Sequence, residues 1–318
     1  PVHGEVESLF NQLRGYIRKG HLFTKELPGY DHAYDQVVSY GELVSSSILY
    51  HHLIDEGFDT CLFDVREIIR TDATHRDARV NWETTRTLVN GSIGSCLREK
   101  QHKGSIALTQ GFLGGDGTGL TTTLGREGSD YTAAILAWCL GSASMTIWKD
   151  VPGVMNADPR WMDDAVTLDT LSYREAIELA YYGAGVIHPK TIQPLENADI
   201  TLAVKSFVNP DLPGTTIRSL REWNITVPLF IRKRDQMLIS LSSRDFSFII
   251  EEHLSQIFRI LADYRVTVNL MHNSAISFSF CIGNDRRKTE PLLRFLSGIY
   301  ETRYNEGLEL FTIRHYDN

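Results

Sequence analysis

The sequence predicts a mixed α/β fold with a largely parallel sheet covered by helices on both faces, followed by a smaller second unit. Three observations lead there. Apolar runs typical of buried strands alternate with amphipathic helices along most of the chain. The Pro- and Gly-rich stretch "NPDLPGT" (209–215) then marks a boundary. Beyond it, strands and helices follow in the βαββαβ order of a split βαβ unit. We therefore divide the chain into residues 1–217 and residues 218–318.

Helices are predicted where apolar residues recur at three- and four-residue spacing. The chain opens on such a helix, with no strand before it. The clearest helix start is at Ser172, which has capping-box spacing to Glu175. The expected helices cover 6–17, 41–56, 130–140, 172–184, 254–261 and 290–300.

Strands are predicted in short apolar runs bounded by turn residues. The run "AISFSFCI" places Ile276, Phe278, Phe280 and Ile282 at alternate positions, as expected for a strand with one buried face. The expected strands lie within "DTCLFDV", "SIALTQGF", "SMTIWKDV", "ITLAVKSF", "MLISLSS", "VTVNL", "AISFSFCI" and "LELFTI".

Bulk properties exclude several classes of function. The net charge of −8 argues against general nucleic-acid binding, which favours basic surfaces. The four cysteines are widely spaced without a CxxC pair, so buried or neutral thiols are favoured over a zinc site or disulfide framework. No run reaches the length of a membrane-spanning helix, and the start of the sequence lacks a signal-peptide profile. We expect a cytoplasmic protein without a membrane partner.

The first candidate site is the glycine-rich run "TQGFLGGDGTGLTTTLGREGSDYTAAILAW" (109–138), which leads into a helix. Glycines leave room beside the backbone, and a helix N-terminus attracts anions. Ser129 is the predicted N-cap, Arg126 can hold a carboxylate bidentately, and Asp130 lies in the first helical turn. The run is not a P-loop, since it lacks GxxxxGK[ST]. The alternatives are a mobile surface loop, a surface arginine neutralised by Glu127, and a helix-dipole role for Asp130.

The second candidate site is "IWKDVPGVMNADPR" (147–160), at the carboxyl end of a predicted strand. Ligands of open α/β sheets bind at that edge, so this loop is expected beside the glycine run. Lys149 and Arg160 could reach phosphates, and Asp150 could reach a ribose or adenine edge. The alternative is a pair of solvated turns.

Four motifs in order, "GFLGGDGTGLTTTLGREGSDYTAA", "IWKDVPGVMNADPR", "LSYREAIELAYYGAGVIHP" and "SFVNPDLPGT", resemble the aspartate kinases of the amino-acid kinase superfamily. "SYGELVSSSIL" is similar to the family's GERLSA-type helix start, and the C-terminal part resembles an ACT regulatory domain. The resemblance implies a three-layer αβα amino-acid kinase domain followed by a ferredoxin-like ACT domain. It also implies phosphorylation of the L-aspartate side chain by ATP with Mg²⁺, giving 4-phospho-L-aspartate for lysine, threonine and methionine synthesis.

The resemblance assigns roles to individual residues. It implies that Glu42 contacts the aspartate amine and that Arg126 binds the α-carboxylate, while Ser129 and Asp130 line the aspartate and phosphoryl site. His188, the obvious candidate base, is better interpreted as a structural residue before Pro189. The nucleotide contacts implied are Lys149, Asp150, Met155, Arg160, Gly185 and Val186, and the effector contacts are Ser242, Val268, Asn269, Asn273 and Ser274. The resemblance assigns no residue of this chain as a metal ligand.

The chain also departs from the family pattern. The Lys-Phe-Gly-Gly-Thr strand is not found, a second ACT unit is incomplete or absent, and relatives commonly carry lysine or another polar residue at the position of Gly185. We expect a fragment, or the ordered part, of a longer enzyme. A homodimer through the ACT domain is implied, with lysine or threonine as effector or with no effector. Two alternatives stay open: a catalytically silent amino-acid-binding regulator, and the kinase part of a bifunctional aspartokinase/homoserine dehydrogenase.

Overall fold

The chain separates into two compact units. The computed structural model describes residues 2–18, 27–100, 104–183, 185, 187–220, 227–244 and 248–316. The first unit takes in Pro1–Met155, Thr167–Ala180 and Gly185–Asn224, and the second takes in Asn156–Val166, Tyr181–Ala184 and Ile225–Asn318. The second unit thus includes two short insertions from the first part of the chain. The boundary between 217 and 218 stays a prediction.

Helices and parallel strands alternate in the first unit. Its helices are α1 (Val2–Arg18), α2 (Leu27–Asp55), α3 (Val65–Ile68), α4 (Trp82–Val89), α5 (Ser95–Glu99), α6 (Gly128–Leu140), α7 (Tyr173–Tyr182, whose last two residues fall in the second unit) and α8 (Pro189–Asn197), with a π-helical turn at Asn90–Gly94. Its strands are β1 (Thr60–Phe63), β2 (Ile106–Thr109), β3 (Leu113–Gly115), β4 (Thr121–Thr123), β5 (Ser144–Lys149), β6 (Thr170–Ser172), β7 (Thr201–Ser206) and β8 (Thr215–Arg218).

Strand pairing in this unit is mixed but mainly parallel. β1 pairs with β2, β5 with β7 and β6 with β8 in parallel, while β7 pairs with β8 and β3 with β4 in antiparallel fashion. The larger sheet has the order β5-β7-β8-β6. One core cluster packs α3, α4 and α6 against the β3–β4 region, and its buried members are Val65, Ile68, Ile69, Val89, Ile93, Leu113, Leu124, Ile135 and Cys139. The predicted α/β class with parallel strands is confirmed.

The second unit is a βαββαβ fold. Its elements are β9 (Leu229–Ser242), α9 (Glu251–Asp263), β10 (Val268–Asn273), β11 (Ser277–Gly283), α10 (Arg286–Ile299) and β12 (Glu301–Arg314). All pairs are antiparallel, in the order β10-β11-β9-β12, so the first and third strands lie at the centre. Phe278, Phe280 and Ile282 of β11 are buried against both helices, as their alternation predicts, whereas Ile276 lies before the strand and is exposed.

Element bounds differ from the prediction where charged residues interrupt the pattern. α2 begins at Leu27 rather than Gly41, and β9 begins at Leu229 rather than Met237. The residues that open β9, "LFIRKRDQ", include four charges, which hide its strand character from a hydrophobicity criterion. Across the described ranges, no helix combines the length and the apolar composition that crossing a membrane requires.

Candidate active site

The N-terminus of α6 is held against the end of β2. Phe112 N–H donates to Thr132 Oγ1 at 2.9 Å, and the Thr132 hydroxyl donates to the Gly128 carbonyl. Gly111 is needed at this contact, because a Cβ added there would lie 2.8 Å from the Cβ of Ser129. The glycine therefore sets how closely strand and helix approach.

The predicted N-cap at Ser129 is wrong. The N-cap is Glu127, which has a left-handed backbone (φ 56°) and forms no side-chain cap hydrogen bond, so Ser129 lies one residue inside the helix and is exposed. The first-turn N–H groups thus lack a capping side chain. A helix start of this kind presents free donors and a partial positive charge to an anion.

Lys149 connects this helix start to the end of β5. Its ammonium donates to Glu127 Oε2 at 3.2 Å and lies 2.9 Å from Asp130 Oδ2. The second contact is an ion pair without hydrogen-bond alignment, since Asp130 Oδ2 is buried and has no hydrogen-bond partner in the described part of the chain. Burial raises the pKa of Asp130 although Lys149 opposes the shift, and the two carboxylates raise the pKa of Lys149 against its own burial. Lys149 is therefore a charged lysine beside two acidic side chains.

The Asp130 carboxylate fits the Mg²⁺ that an ATP-dependent reaction implies. Mg²⁺ is usually held by one or two carboxylates together with substrate phosphates and water. The buried Asp130 Oδ2 offers one such oxygen. Over the described residues no group of three or more His, Cys, Asp or Glu side chains forms a metal cage.

Arg126 is an exposed cation beside the same helix start. It forms no ion pair with any residue that the structure describes. Its charge reaches His188, whose pKa is lowered by burial first and then by Lys190 and Arg126. His188 is the N-cap of α8, and its Nδ1 accepts the Lys190 N–H, so the structural interpretation of His188 agrees with the structure. The guanidinium of Arg126 remains available to a ligand carboxylate.

A buried carboxylate links α2 to the strand that precedes Arg126. Asp35 on α2 is fully buried. Its oxygens accept from Thr123 N–H at 3.0 Å, Thr123 Oγ1 at 2.8 Å and Arg76 N–H at 3.0 Å, and lie 3.1 Å from His75 Nδ1. Because hydrogen bonds to a charged buried group are among the strongest in a protein, Asp35 fixes α2 against the end of β4.

Glu42 lies further along α2. Its side chain is partly exposed, and burial raises its pKa above the ordinary value. The same helix thus carries a supporting carboxylate, Asp35, and a candidate substrate contact, Glu42.

The other nucleotide candidates have different surroundings. Asp150 follows β5 and is exposed, and Met155 forms a β-bridge with Thr167. A Cβ added to Gly185 would meet no described heavy atom within 4 Å. Arg160 belongs to the second unit and forms an exposed ion pair with Asp158. Val186 lies outside the described residues. These assignments stay predictions.

The five effector candidates fall at two ends of β10. Asn273 and Ser274 adjoin the turn where Ser274 Oγ lies 2.7 Å from Ser277 Oγ, and Ser242 pairs with Ser277 across the sheet. Val268 and Asn269 lie at the other end, about 13 Å away at 3.3 Å per residue. There Asn269 accepts from Lys233 at 2.8 Å and donates to Gln236 at 2.7 Å. Within one copy of this unit the five residues do not converge.

The glycine run serves packing as well as any ligand. A Cβ on Gly115 would collide with the Arg66 carbonyl oxygen of α3, and one on Gly114 would lie 2.8 Å from the Thr71 methyl. The far side of the run borders a cleft of about 390 Å³ lined by Asp64, Arg66, Glu67, Arg70, Gly115, Gly117, Gly119, Leu120 and Thr121. The interpretation of the glycines as making room for a bound anion misses this role in packing.

Two functional contacts were missed for lack of a local signal. Glu127 was considered only as a neutraliser of Arg126, whereas it accepts from Lys149, twenty-two residues away. Asp35 contacts Thr123 across eighty-eight residues. Neither contact can be predicted from the spacing of residues in the sequence, because each depends on tertiary packing.

Comparison with known proteins gives these contacts a context. The chain is 34% identical over 289 residues to lysine-sensitive aspartokinase 3 of Escherichia coli K12, an alignment that covers 88% of this chain and 62% of the relative. It therefore spans less than two thirds of that relative's length. A crystal structure of E. coli aspartokinase III in complex with aspartate and ADP (R-state) matches with a TM-score of 0.81 and 31% identity, covering 98% of this chain and 68% of that one. The complex with lysine and aspartate (T-state) matches with a TM-score of 0.78 and the same identity and coverage.

The family model described as "Amino acid kinase family" matches residues 3–206. This range includes α2, β5 and α6 and, with them, Glu42, Lys149 and the Arg126 that precedes α6. The chain is a member of the amino acid kinase family.

Proposed function

We propose that the chain belongs to an aspartate kinase, which transfers the γ-phosphoryl group of ATP to the side-chain carboxylate of L-aspartate. The observation that carries the proposal is the Lys149 ammonium between Glu127 and Asp130, at an uncapped helix start beside the unpaired Arg126. Similarity to an aspartokinase solved with aspartate and ADP supports the same substrates. We also propose a cytoplasmic location, where both substrates are metabolites.

The arrangement suits transfer between two anions. An oxygen of the aspartate side chain forms a bond to the γ-phosphorus while the bond from phosphorus to the bridging oxygen breaks and ADP leaves. No protein nucleophile takes part, so the protein contributes positioning and charge neutralisation. Arg126 binds the α-carboxylate, Glu42 the amine, and Lys149 with the α6 N–H groups lies against the transferring phosphoryl group. Asp130 would hold Mg²⁺ together with the phosphates, and the bound ion would supply neutralisation of phosphate charge.

Arg126→Ala is expected to raise the KM for aspartate about a hundredfold with a much smaller effect on the KM for ATP. A bidentate bond to a carboxylate contributes on the order of 3 kcal/mol, and each 1.4 kcal/mol is about tenfold. The measurement is ADP release with and without L-aspartate in the presence of Mg²⁺. Arg14→Ala, at an exposed arginine of α1, is the matched control and should leave both values unchanged.

Two results of this assay would count against the proposal. An unchanged aspartate KM in Arg126→Ala would remove the role of that residue. Amino-acid binding without aspartate-dependent ADP release, even after a Lys-Phe-Gly-Gly-Thr segment is restored to the chain, would favour the silent regulator instead.

Aspartate binding is expected to weaken as pH falls through the raised pKa of Glu42. Burial favours the neutral carboxyl, so Glu42 takes up its proton at a higher pH than an ordinary glutamate. Once neutral it no longer pairs with the substrate ammonium. A profile of aspartate KM against pH should show this rise, and Glu42→Gln should bind weakly with a flat profile over the same range. Glu7→Gln, on the exposed side of α1, should keep the original profile.

We further propose that the second unit is an ACT domain that binds an amino-acid effector, lysine or threonine, and pairs two copies of the chain. Its βαββαβ topology supports the assignment. The aspartokinase III complex with lysine supports an effector of that class.

A further inference from the structure

Two cysteines outside the proposed active site are in contact. Cys61 lies on β1 and Cys96 on α5, and their sulfur atoms are 2.9 Å apart, with the Cys96 thiol donating to Cys61. Both are free and partly exposed, whereas Cys139 and Cys281 are buried. Since the sequence spacing gives no hint of this pair, the interpretation of the four cysteines as buried or neutral thiols overlooks it.

We propose that Cys61 and Cys96 form an oxidisable dithiol, a modification site at which a small-molecule disulfide produces a reversible intramolecular disulfide. The inference is independent of the kinase reaction. It stands on the contact between the sulfur atoms of two partly exposed cysteines, carried by separate elements of the first unit.

The reaction is a pair of thiol–disulfide exchanges. The Cys61 thiolate attacks one sulfur of the reagent, whose S–S bond breaks and releases one thiolate. The Cys96 proton passes to the released thiolate, and the Cys96 sulfur attacks the Cys61 sulfur of the mixed disulfide, releasing the second thiolate, which takes a proton from solvent. Both cysteines are oxidised, and one reagent disulfide is reduced to two thiols.

The hydrogen bond assigns the attacking role to Cys61, because its sulfur accepts from the Cys96 thiol at 2.9 Å. The pKa of Cys96 is raised, first by this hydrogen bond and then by burial, so Cys96 keeps its proton until the second exchange.

The test is treatment of the full chain with oxidised glutathione under native conditions. Free thiols counted after denaturation should fall from four, the number of cysteines, to two. Mass spectrometry should find the Cys61 and Cys96 peptides joined, with Cys139 and Cys281 unmodified. Dithiothreitol should restore all four thiols, and the melting temperature of the oxidised chain should be higher because the crosslink restricts the unfolded state.

Single variants separate the two roles. Cys96→Ser should accumulate glutathione on Cys61, because the second exchange is blocked. Cys61→Ser should react much more slowly at Cys96, and neither variant should gain in melting temperature. Two glutathione molecules retained on the unaltered chain, or no loss of thiols at all, would overturn the proposal. Equal reactivity of the two single variants would overturn the assignment of Cys61 as the attacking sulfur.

Discussion

Lys149→Met is expected to lower kcat about a thousandfold, on the order of 4 kcal/mol, in the proposed kinase reaction. The ammonium lies 3.2 Å from Glu127 Oε2 and 2.9 Å from Asp130 Oδ2, so its loss removes the positive charge beside both carboxylates. Charge developing on the transferred phosphoryl group would then be opposed instead of neutralised. The measurement is the steady-state rate at saturating aspartate and ATP.

The same variant should show a change in stability with a defined sign. Burial already raises the pKa of Asp130, and Lys149 opposes that shift. Without Lys149 the pKa of Asp130 rises further above its unfolded value, so stability falls as pH rises between the unfolded and folded pKa values. Urea unfolding of Lys149→Met at several pH values should therefore show a steeper loss toward neutral pH than the original chain.

Lys205→Met provides the matched control for kcat. Lys205 on β7 pairs with Trp148 of β5, the residue before Lys149. The Lys205 ammonium lies 5.5 Å from the centre of the Trp148 ring. Its removal costs a cation–π contact of about 1 kcal/mol and no active-site charge. A kcat for Lys149→Met equal to that of Lys205→Met would contradict the catalytic role.

Gly115→Ala is expected to destabilise the protein by about 3 kcal/mol or more, as overpacking against fixed backbone does. A methyl group there would collide with the Arg66 carbonyl oxygen. Gly115 cannot move away easily, because its N–H donates to the Ile69 carbonyl and its carbonyl accepts from Thr71 N–H. The measurement is the urea midpoint of the first transition, compared at constant slope.

Gly4→Ala is the control for this prediction. Gly4 lies within α1 and an added Cβ would meet nothing within 4 Å, so alanine should be neutral or stabilise by up to about 1 kcal/mol. An equal urea midpoint for Gly115→Ala and Gly4→Ala would show that α3 can move away from residue 115 without a loss in the free energy of unfolding. The proposed packing role of Gly115 would then be wrong.

The sequence predicts the layout of this molecule better than the environment of its site. Long apolar stripes locate α6, α9 and α10 and the alternation in β11, because burial on one face leaves a periodic signal. Short elements such as α3 and β6 carry too few residues for any period to show. They form because neighbouring elements bury them.

The same difference applies within the site. Arg126, Asp130 and Lys149 are recognisable from motif order, and the structure brings Asp130 and Lys149 into contact. The partner Glu127 and the supporting Asp35 could not be predicted, since their contacts cross from one element to another. The cap of α6 was misassigned because a positive φ at a glutamate is rare, and local rules favour the serine.

Asp35 has a consequence for the handedness of the substrate. Thr123, which it binds, lies three residues before Arg126, and Asp35 itself lies seven residues, about two helical turns, before Glu42. One buried side chain therefore supports both groups proposed to hold the α-carboxylate and the amine. The positions of the substrate α-carboxylate and amine are then fixed, and the phosphoryl group to be transferred occupies a third position. Only one arrangement of substituents around the α-carbon then brings the side-chain carboxylate to the phosphoryl group. On this assignment, discrimination between L- and D-aspartate depends on a carboxylate that never touches either molecule.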